Sequence, residues 1–356
     1  MNVRQIAKLA KVSTATVSRA INRVPTVDPV LARRVWRVID EVGYYPNTHA
    51  RTLARGHSRI VGVMVSETIN RFFSEMVQKF AELCAQHDYD LLLRPISQDS
   101  RQLDIAARRI IERRIDGVAV LTFWPQERLI ESFLCNQVPV FAIESASTAP
   151  QLRTLSIDYS HGIRQAVQHL AALGHAHIAF VGGPRNFRSA LEREIAFEAS
   201  MHEINLPPQQ IVGGDHTMEA GMAAMLEFSR LQDRPSAVVC SNDTTAIGVM
   251  HAAFDLGLSI PRDLSVIGVD DIRLSRFMSP PLTTVELSQT EIASVAFREL
   301  LGLMEVPSKP SLPVTHSIKT NLILRSSTGL APDRARQMEV HRMCLDDRNS
   351  ASHCGS

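Results

Sequence analysis

The sequence predicts an N-terminal all-α helix-turn-helix headpiece joined to an α/β core of two doubly wound parallel-sheet lobes. Three observations carry that prediction. Residues 1–46 hold three short stretches with helical spacing, the chain from residue 60 alternates apolar runs with amphipathic stretches, and charge divides unevenly between the two parts. With roughly 100 to 200 residues per domain, 356 residues suit two or three domains with ample core.

The headpiece follows from spacing. Ile6, Leu9 and Ala10 recur at i, i+3 and i+4, Val17 and Ile21 lie four apart, and Val12 sits between the sets, so two helices share one small apolar face. Ala7 and Ala10 are small enough to let those helices cross closely. Ser13 suits the N-cap of the second helix, because its oxygen can accept an orphan backbone N–H. The third helix is bracketed by Asp28 as cap, Pro29 in the first turn and Gly43 as terminator, with Leu31, Val35, Ile39 and Val42 as its stripe. Three short helices on one core is the minimum for a helix-turn-helix unit.

Charge gives that unit a ligand. Residues 1–59 hold 11 basic and 3 acidic side chains, a net +8, whereas the rest of the chain carries −7 and brings the total to +1. A near-neutral protein thus has one strongly basic end, the footprint of a phosphate-binding module; a solvated basic tail would not carry capped helices and an apolar core.

From residue 60 the period changes. Strands are expected at 60–65, 90–93, 117–121, 138–143, 154–157, 177–181, 211–212, 237–240, 265–269 and 284–286. Helices are expected near 74–87, 100–113, 127–135, 160–173, 189–204, 219–230, 243–256 and 289–305, with a last strand at 317–324. This is the rhythm of parallel sheets with helices on both faces. The domains read as a headpiece at 1–46, a hinge helix and linker at 47–58, and a core at 59–330. Lobe one takes about 59–157 and 286–316, lobe two about 158–285 and 317–328, and 331–356 form a disordered tail too polar for an extra coiled coil. Loops at the carboxyl ends of the strands then face a cleft between the lobes.

No run of about 18 apolar residues and no signal-peptide pattern is present, so a cytoplasmic protein without membrane attachment is expected. Cys84, Cys135, Cys240, Cys344 and Cys354 are odd in number, lack CxxC or metal-ligand spacing and read as free thiols. There is no GxxxxGK[ST] loop, no GxGxxG after a strand, no GxSxG elbow and no HExxH, which argues against an enzyme, a cofactor or a metal site.

Several motifs resemble a known family in the right order over residues 2 to about 328. Ala7-Lys8-Leu9-Ala10-x-Val12-Ser13-x-x-Thr16-Val17-Ser18-Arg19-x-x-Asn22 and Gly43-Tyr44-x-Pro46-Asn47-x-x-Ala50-Arg51-x-Leu53 carry the headpiece and hinge. His169-Leu170-x-x-Leu173-Gly174-His175, Val266-Ile267-Gly268-x-Asp270-Asp271 and Pro281-Leu282-Thr283-Thr284 carry the core. Together they are similar to the lactose-repressor (LacI/GalR) family of transcription regulators. The resemblance implies a homodimer, a core of the periplasmic-binding-protein type I fold, and operator affinity shifted by a sugar or sugar derivative. The runner-up is a transport-type sugar-binding protein, for which a basic headpiece has no use. Three positions depart from the family pattern: Lys11 stands at the turn where Gly is usual, Arg71 replaces Pro, and Ala196 replaces Gly.

By that resemblance Thr14, Ala15 and Arg19 reach base edges of a pseudo-palindromic double-stranded operator. Arg19 can donate two parallel hydrogen bonds to guanine, and Ala15 offers a methyl contact. Ser13, Thr16, Ser18 and Asn22 read as phosphate anchors or as ordinary caps and surface polarity. The segment Asn47 to Arg55 is too short for an isolated helix, so it should order only against its symmetry mate on DNA. Leu53 then serves as a minor-groove wedge, with Ala50 leaving room for the pair; the other reading packs Leu53 on its own domain. In the core, Arg193, Asn242 and Asp270 match positions that hold effector, and Phe72, Phe73, Glu144, Asp158, Phe187, Ser189 and His216 match positions that often line it. Carboxylates and an arginine suit vicinal hydroxyls, and aromatic rings suit the apolar face of a sugar. Asp243 is expected to cap a helix and Asp271 to pair across the lobes.

Overall fold

The computed structural model describes residues 2–21, 24, 26–44, 57–66, 72–96, 99–124, 127–145, 147, 149–207, 210–305 and 314–332. Asn22, Ala50, Leu53, nearly all of the predicted hinge and the tail from residue 333 lie outside the described residues. Headpiece and core are separate compact units.

In the headpiece, α1 spans Val3–Leu9, α2 Thr14–Ile21 and α3 Pro29–Glu41. Each start is capped. Asn2 and Gln5 form a capping box on α1, Ser13 Oγ accepts from Thr16 N at 3.0 Å on α2, and Asp28 accepts from Val30 N and Leu31 N on α3. The core is Ile6, Ala7, Ala10, Val17, Ala20, Ile21, Val35, Val38 and Ile39. Leu9, expected on that face, is 54% exposed, because Ile6, Ala7 and Ala10 already fill the narrow interior. Lys11 takes φ +52° in the turn before α2, the left-handed conformation that a glycine would adopt without strain, and Gly43 takes φ +57° just past α3.

The core contains two six-stranded sheets. Its strands are β1 Ile60–Ser66, β2 Asp90–Ile96, β3 Gly117–Leu121, β4 Val140–Ile143, β5 Leu152–Asp158 and β6 Ile178–Val181. They continue with β7 Gln210–Val212, β8 Ala237–Cys240, β9 Ser265–Asp270, β10 Thr283–Glu286, β11 Val314–Lys319 and β12 Asn321–Ile323. The order is β11-β5-β4-β3-β1-β2 in the first sheet and β12-β10-β9-β8-β6-β7 in the second. Strands β1, β3, β4, β5 and β11 pair in parallel, as do β7, β6, β8, β9 and β10, and β12 closes the second sheet antiparallel to β10. Every residue of β3, β4, β6, β8 and β9 is buried, as sheets covered on both faces require.

The covering helices are α4 Phe72–Gln86, α5 Ser100–Glu112, α6 Glu127–Cys135, α7 Tyr159–Ala172 and α8 Arg188–Glu203. After them come α9 Met218–Phe228, α10 Asp243–Asp255 and α11 Gln289–Glu305, with a 3-10 turn at Arg273–Phe277 that spacing did not predict. The chain passes between sheets three times, after β5, after β10 and between β11 and β12. The single strand expected at 317–324 is therefore two, and the predicted change of lobe at 316/317 moves to Thr320. There Thr320 N and Oγ1 both donate to Asp158 O, at 3.3 and 2.8 Å, and Gly162 N donates to Thr320 Oγ1 at 3.1 Å. A Cβ on Gly162 would lie 2.4 Å from Val285, so the crossing point is packed without slack.

Candidate functional site

On the headpiece, α2 presents Thr14, Ala15, Ser18 and Arg19 to solvent, while Val17, Ala20 and Ile21 are buried beneath them. The spacing puts Thr14 over Ser18 and Ala15 over Arg19, which makes one polar ridge. Ser13 and Thr16 are already engaged with each other at 2.8 Å, as cap and capped.

In the core, the predicted residues divide into those that meet at the cleft and those that build its walls. Arg193 from α8 is 2% exposed; its Nη1 donates to Ser241 O at 2.5 Å, its Nη2 to Asp270 Oδ1 at 3.2 Å, and its guanidinium lies 4.6 Å from the centre of the Tyr159 ring. Burial disfavours the Arg193 charge, yet Asp270, Tyr159 and Glu144 around it more than offset that. Asp270 is pushed up to about 6 by burial, against the pull of Arg193. It sits at φ +113° at the end of β9, and Gln289 Nε2 on the first turn of α11 donates to its carbonyl at 3.0 Å.

Glu144 faces this pair from the end of β4, at φ +54°, with its N–H donating to Leu155 O at 2.7 Å. Both its carboxylate oxygens are buried without a well-aligned hydrogen bond, the Tyr159 hydroxyl being the donor beside them. Burial and Glu192 push it up to about 7, with Arg193 pulling the other way. Trp124 Nε1 is likewise buried with no hydrogen bond closed, while the Tyr159 hydroxyl and Arg193 Nε stand beside Glu144 and each other without a well-aligned hydrogen bond. An uncompensated buried polar atom costs on the order of 1–3 kcal/mol. Phe187 meets Trp124 at 6.2 Å and His216 at 6.0 Å, so a ring from one lobe touches a ring from the other.

His216, at φ +69°, bonds Ser241 Oγ through Nε2 at 2.6 Å and is pushed down to about 3 by burial and by Arg193; it is a neutral imidazole. Phe72 and Phe73 are buried and pack on Phe123 at 5.5 and 5.7 Å, one layer behind the cleft. Ser189 is buried in the first turn of α8. Asp158 caps α7 through His161 N, and Asn242 caps α10 through Thr245 N at 2.8 Å while its amide donates to His216 O at 3.2 Å. These two side chains hold walls in place with the atoms that were expected to hold ligand.

Two expectations are corrected here. Asn242, not Asp243, caps α10; Asp243 instead accepts from Thr284 Oγ1, Ile272 N and Ser275 Oγ and ties three segments of the second lobe together. Asp271 pairs with Arg276 at 3.1 Å and Arg325 at 2.6 Å, both in its own lobe. Trp124 and Tyr159 were missed. Tyr159 opens a helix and resembles any buried aromatic; Trp124, an isolated tryptophan in the loop after β3, was the available signal.

A cavity of about 40 Å³ is lined by Phe123, Trp124, Glu144, Ser145 and Arg188, among others, and shares Glu144, Ser145 and Arg188 with a groove of about 310 Å³ that also touches Thr154, Glu192 and Thr315.

Comparison with known proteins fits this division. Residues 2–47 match the family model for bacterial regulatory proteins of the lacI family, and residues 167–328 match that for a periplasmic binding protein-like domain. The HTH-type transcriptional repressor PurR of Actinobacillus pleuropneumoniae serotype 3 is 32% identical over 327 residues, 91% of this chain and 97% of that protein. The chain belongs to the LacI family. Catabolite control protein A of Priestia megaterium is 31% identical over 310 residues, 85% of this chain and 92% of its own length. This LacI-family chain is accordingly a DNA-binding transcriptional repressor with an effector-binding core. Its fold matches a lac repressor dimer bound to operator and the anti-inducer ONPF, with a TM-score of 0.83 at 24% identity over 92% of this chain and 99% of that one. The transcriptional regulator CelR in complex with cellobiose matches at a TM-score of 0.69 and 25% identity, over 92% and 99% of the two chains. Among the described residues no helix is long and apolar enough to cross a membrane and no group of side chains could hold a metal ion.

Proposed function

We propose that this repressor binds a pseudo-palindromic operator as a homodimer and that a sugar-like effector, held between the core lobes, sets its operator affinity. Thr14, Ala15 and Arg19 read base edges, Ser13, Thr16, Ser18 and Asn22 fix the phosphate register, and Ala50 and Leu53 pair and wedge in the minor groove. The observation that carries the effector reading is the gathering of buried polar atoms of Glu144, Tyr159, Arg193 and Trp124 that lack a well-aligned hydrogen bond, beside the rings of Phe123 and Phe187. Polar atoms with fixed directions over an aromatic wall are what a ring with several hydroxyls demands.

The space supports a switch as well as a site. A 40 Å³ cavity holds a few waters and no monosaccharide, so effector must bind an arrangement with the lobes further apart or use the adjoining groove. Binding one arrangement better than the other is the only way a ligand can move the equilibrium.

The test pairs effector titration by calorimetry with operator binding. Arg193→Ala and Asp270→Asn are expected to keep operator binding and ignore effector, or never to bind operator if effector is a co-repressor, since each leaves its partner buried and unpaired, at a cost of about 3–5 kcal/mol. Wild-type effector affinity in both variants would move the ligand elsewhere.

A further inference from the structure

Within the cleft the charges do not cancel. Arg193 is taken up by Asp270 at 3.2 Å and Arg188 by Glu192 at 2.7 Å. Glu144 and Glu127 line the same cavity, and no salt bridge is formed by either among the described residues. Trp124 is 7% exposed, its Nε1 closes no hydrogen bond, and with Phe123 and Phe187 it lends the wall a π-rich surface.

Resting on the effector reading above, we infer that the effector carries a protonated nitrogen, as an amino sugar does, and that Glu144 is its counter-ion. A neutral hydroxyl can donate to one Glu144 oxygen but leaves the carboxylate charge uncompensated in a buried place. An ammonium group supplies several donors and the opposite charge together, and it is attracted to the face of a tryptophan. A purely anionic effector is disfavoured by the same accounting.

Proton linkage supplies the fingerprint. Glu144 is faced by Glu192, Arg188 and Arg193 from α8, by Tyr159 from α7 and by Glu127 from α6. With its carboxyl pushed up to about 7 by burial and Glu192, the empty core carries a proton on Glu144 in part of its population near neutral pH. An ammonium that pairs with the carboxylate expels that proton into the buffer, and a neutral sugar has no reason to.

The experiment uses the full chain at pH 7. Glucosamine, galactosamine and mannosamine are compared with glucose, galactose and mannose by thermal shift, then by calorimetry in buffers of different ionisation enthalpy. At least one amine is expected to bind roughly tenfold or more tightly than its neutral partner, as a desolvated charge pair requires, and to release protons on binding. Glu144→Gln is expected to erase both the preference and the release while the unliganded melting temperature holds or rises. A neutral sugar that binds as well as its amine, or a preference that survives Glu144→Gln, overturns the inference. If that neutral sugar loses its affinity in Arg193→Ala, the cleft reading stands and only the amine is wrong; if no compound of either kind shifts the protein, both fall.

Discussion

Asp243 is fully buried, forms no salt bridge among the described residues, and its carboxylate oxygens accept from Thr284 Oγ1, Ile272 N and Ser275 Oγ. Burial and nearby Asp270 push it up to about 8. Between the ordinary carboxylate range near 4 and about 8 the folded state therefore keeps a proton that the unfolded chain has released, so Asp243 makes stability fall as pH rises across that window. Glu144 and Asp270, also raised, act with the same sign over narrower windows. His216 acts oppositely: held down to about 3, it costs stability as pH falls from about 6.5 toward 3, where the unfolded chain takes up the proton first. Asp243→Asn can offer its oxygen to Ile272 N and Ser275 and its amide to the Thr284 hydroxyl, so it is expected to fold and to show a flatter decline from pH 4 to 8 in urea unfolding. An unchanged slope would show that Asp243 is ionised in the fold. Such roles were hidden in the sequence because the partners are remote: Asn242 and Asp243 are adjacent, and which one caps is decided by Ile272, Ser275 and Thr284. Lys11 was legible for the opposite reason, since a turn between two crossing helices constrains its own φ.

Helices α9 and α10 show how closely two elements can approach when the sequence permits. A Cβ on Gly221 would stand 2.1 Å from Thr245 O, and one on Gly248 would stand 2.0 Å from Met218 O, so backbone rests against backbone on both sides of the crossing. Gly248→Ala is expected to lose about 1–3 kcal/mol or more through overpacking, visible as a lower melting temperature of the core. Gly302→Ala on α11 meets nothing within 4 Å and should gain up to about 1 kcal/mol from helix propensity. Equal effects of the two would mean that the α9–α10 crossing relaxes freely. Spacing located nearly every element, because periods of two and 3.6 are local properties of the chain. It could not split the last strand. Residues 317–324 read as one continuous β-type stretch, whereas the structure has strands at Val314–Lys319 and Asn321–Ile323, and the break at Thr320 exists only because Asp158 and Gly162 are there to receive it.

For the whole molecule, charge asymmetry has a thermodynamic consequence. The +8 of residues 1–59 neutralises phosphates and releases their counterions, and the −7 of the remainder contributes nothing to that term. Operator affinity should fall linearly on a log–log plot against salt, with a slope near −0.9 for each phosphate neutralised, as measured by fluorescence anisotropy. Residues 57–356 alone should not bind duplex DNA at any of those salt concentrations. Binding by that fragment would relocate part of the DNA interface to the core.

The three passages between sheets also fix an order of events during synthesis. The headpiece helices, which end with Glu41, precede the core in the sequence and can fold while most of the core is unmade. Each lobe sheet, by contrast, waits for an edge strand from the same ten residues, β11 for one and β12 for the other. Both lobes close within the same short stretch, and a chain interrupted between β1 and Val314 carries the three headpiece helices on a core that lacks both closing strands. One stretch of ten residues thus supplies an edge to both lobes, so its loss leaves two sheets open at once.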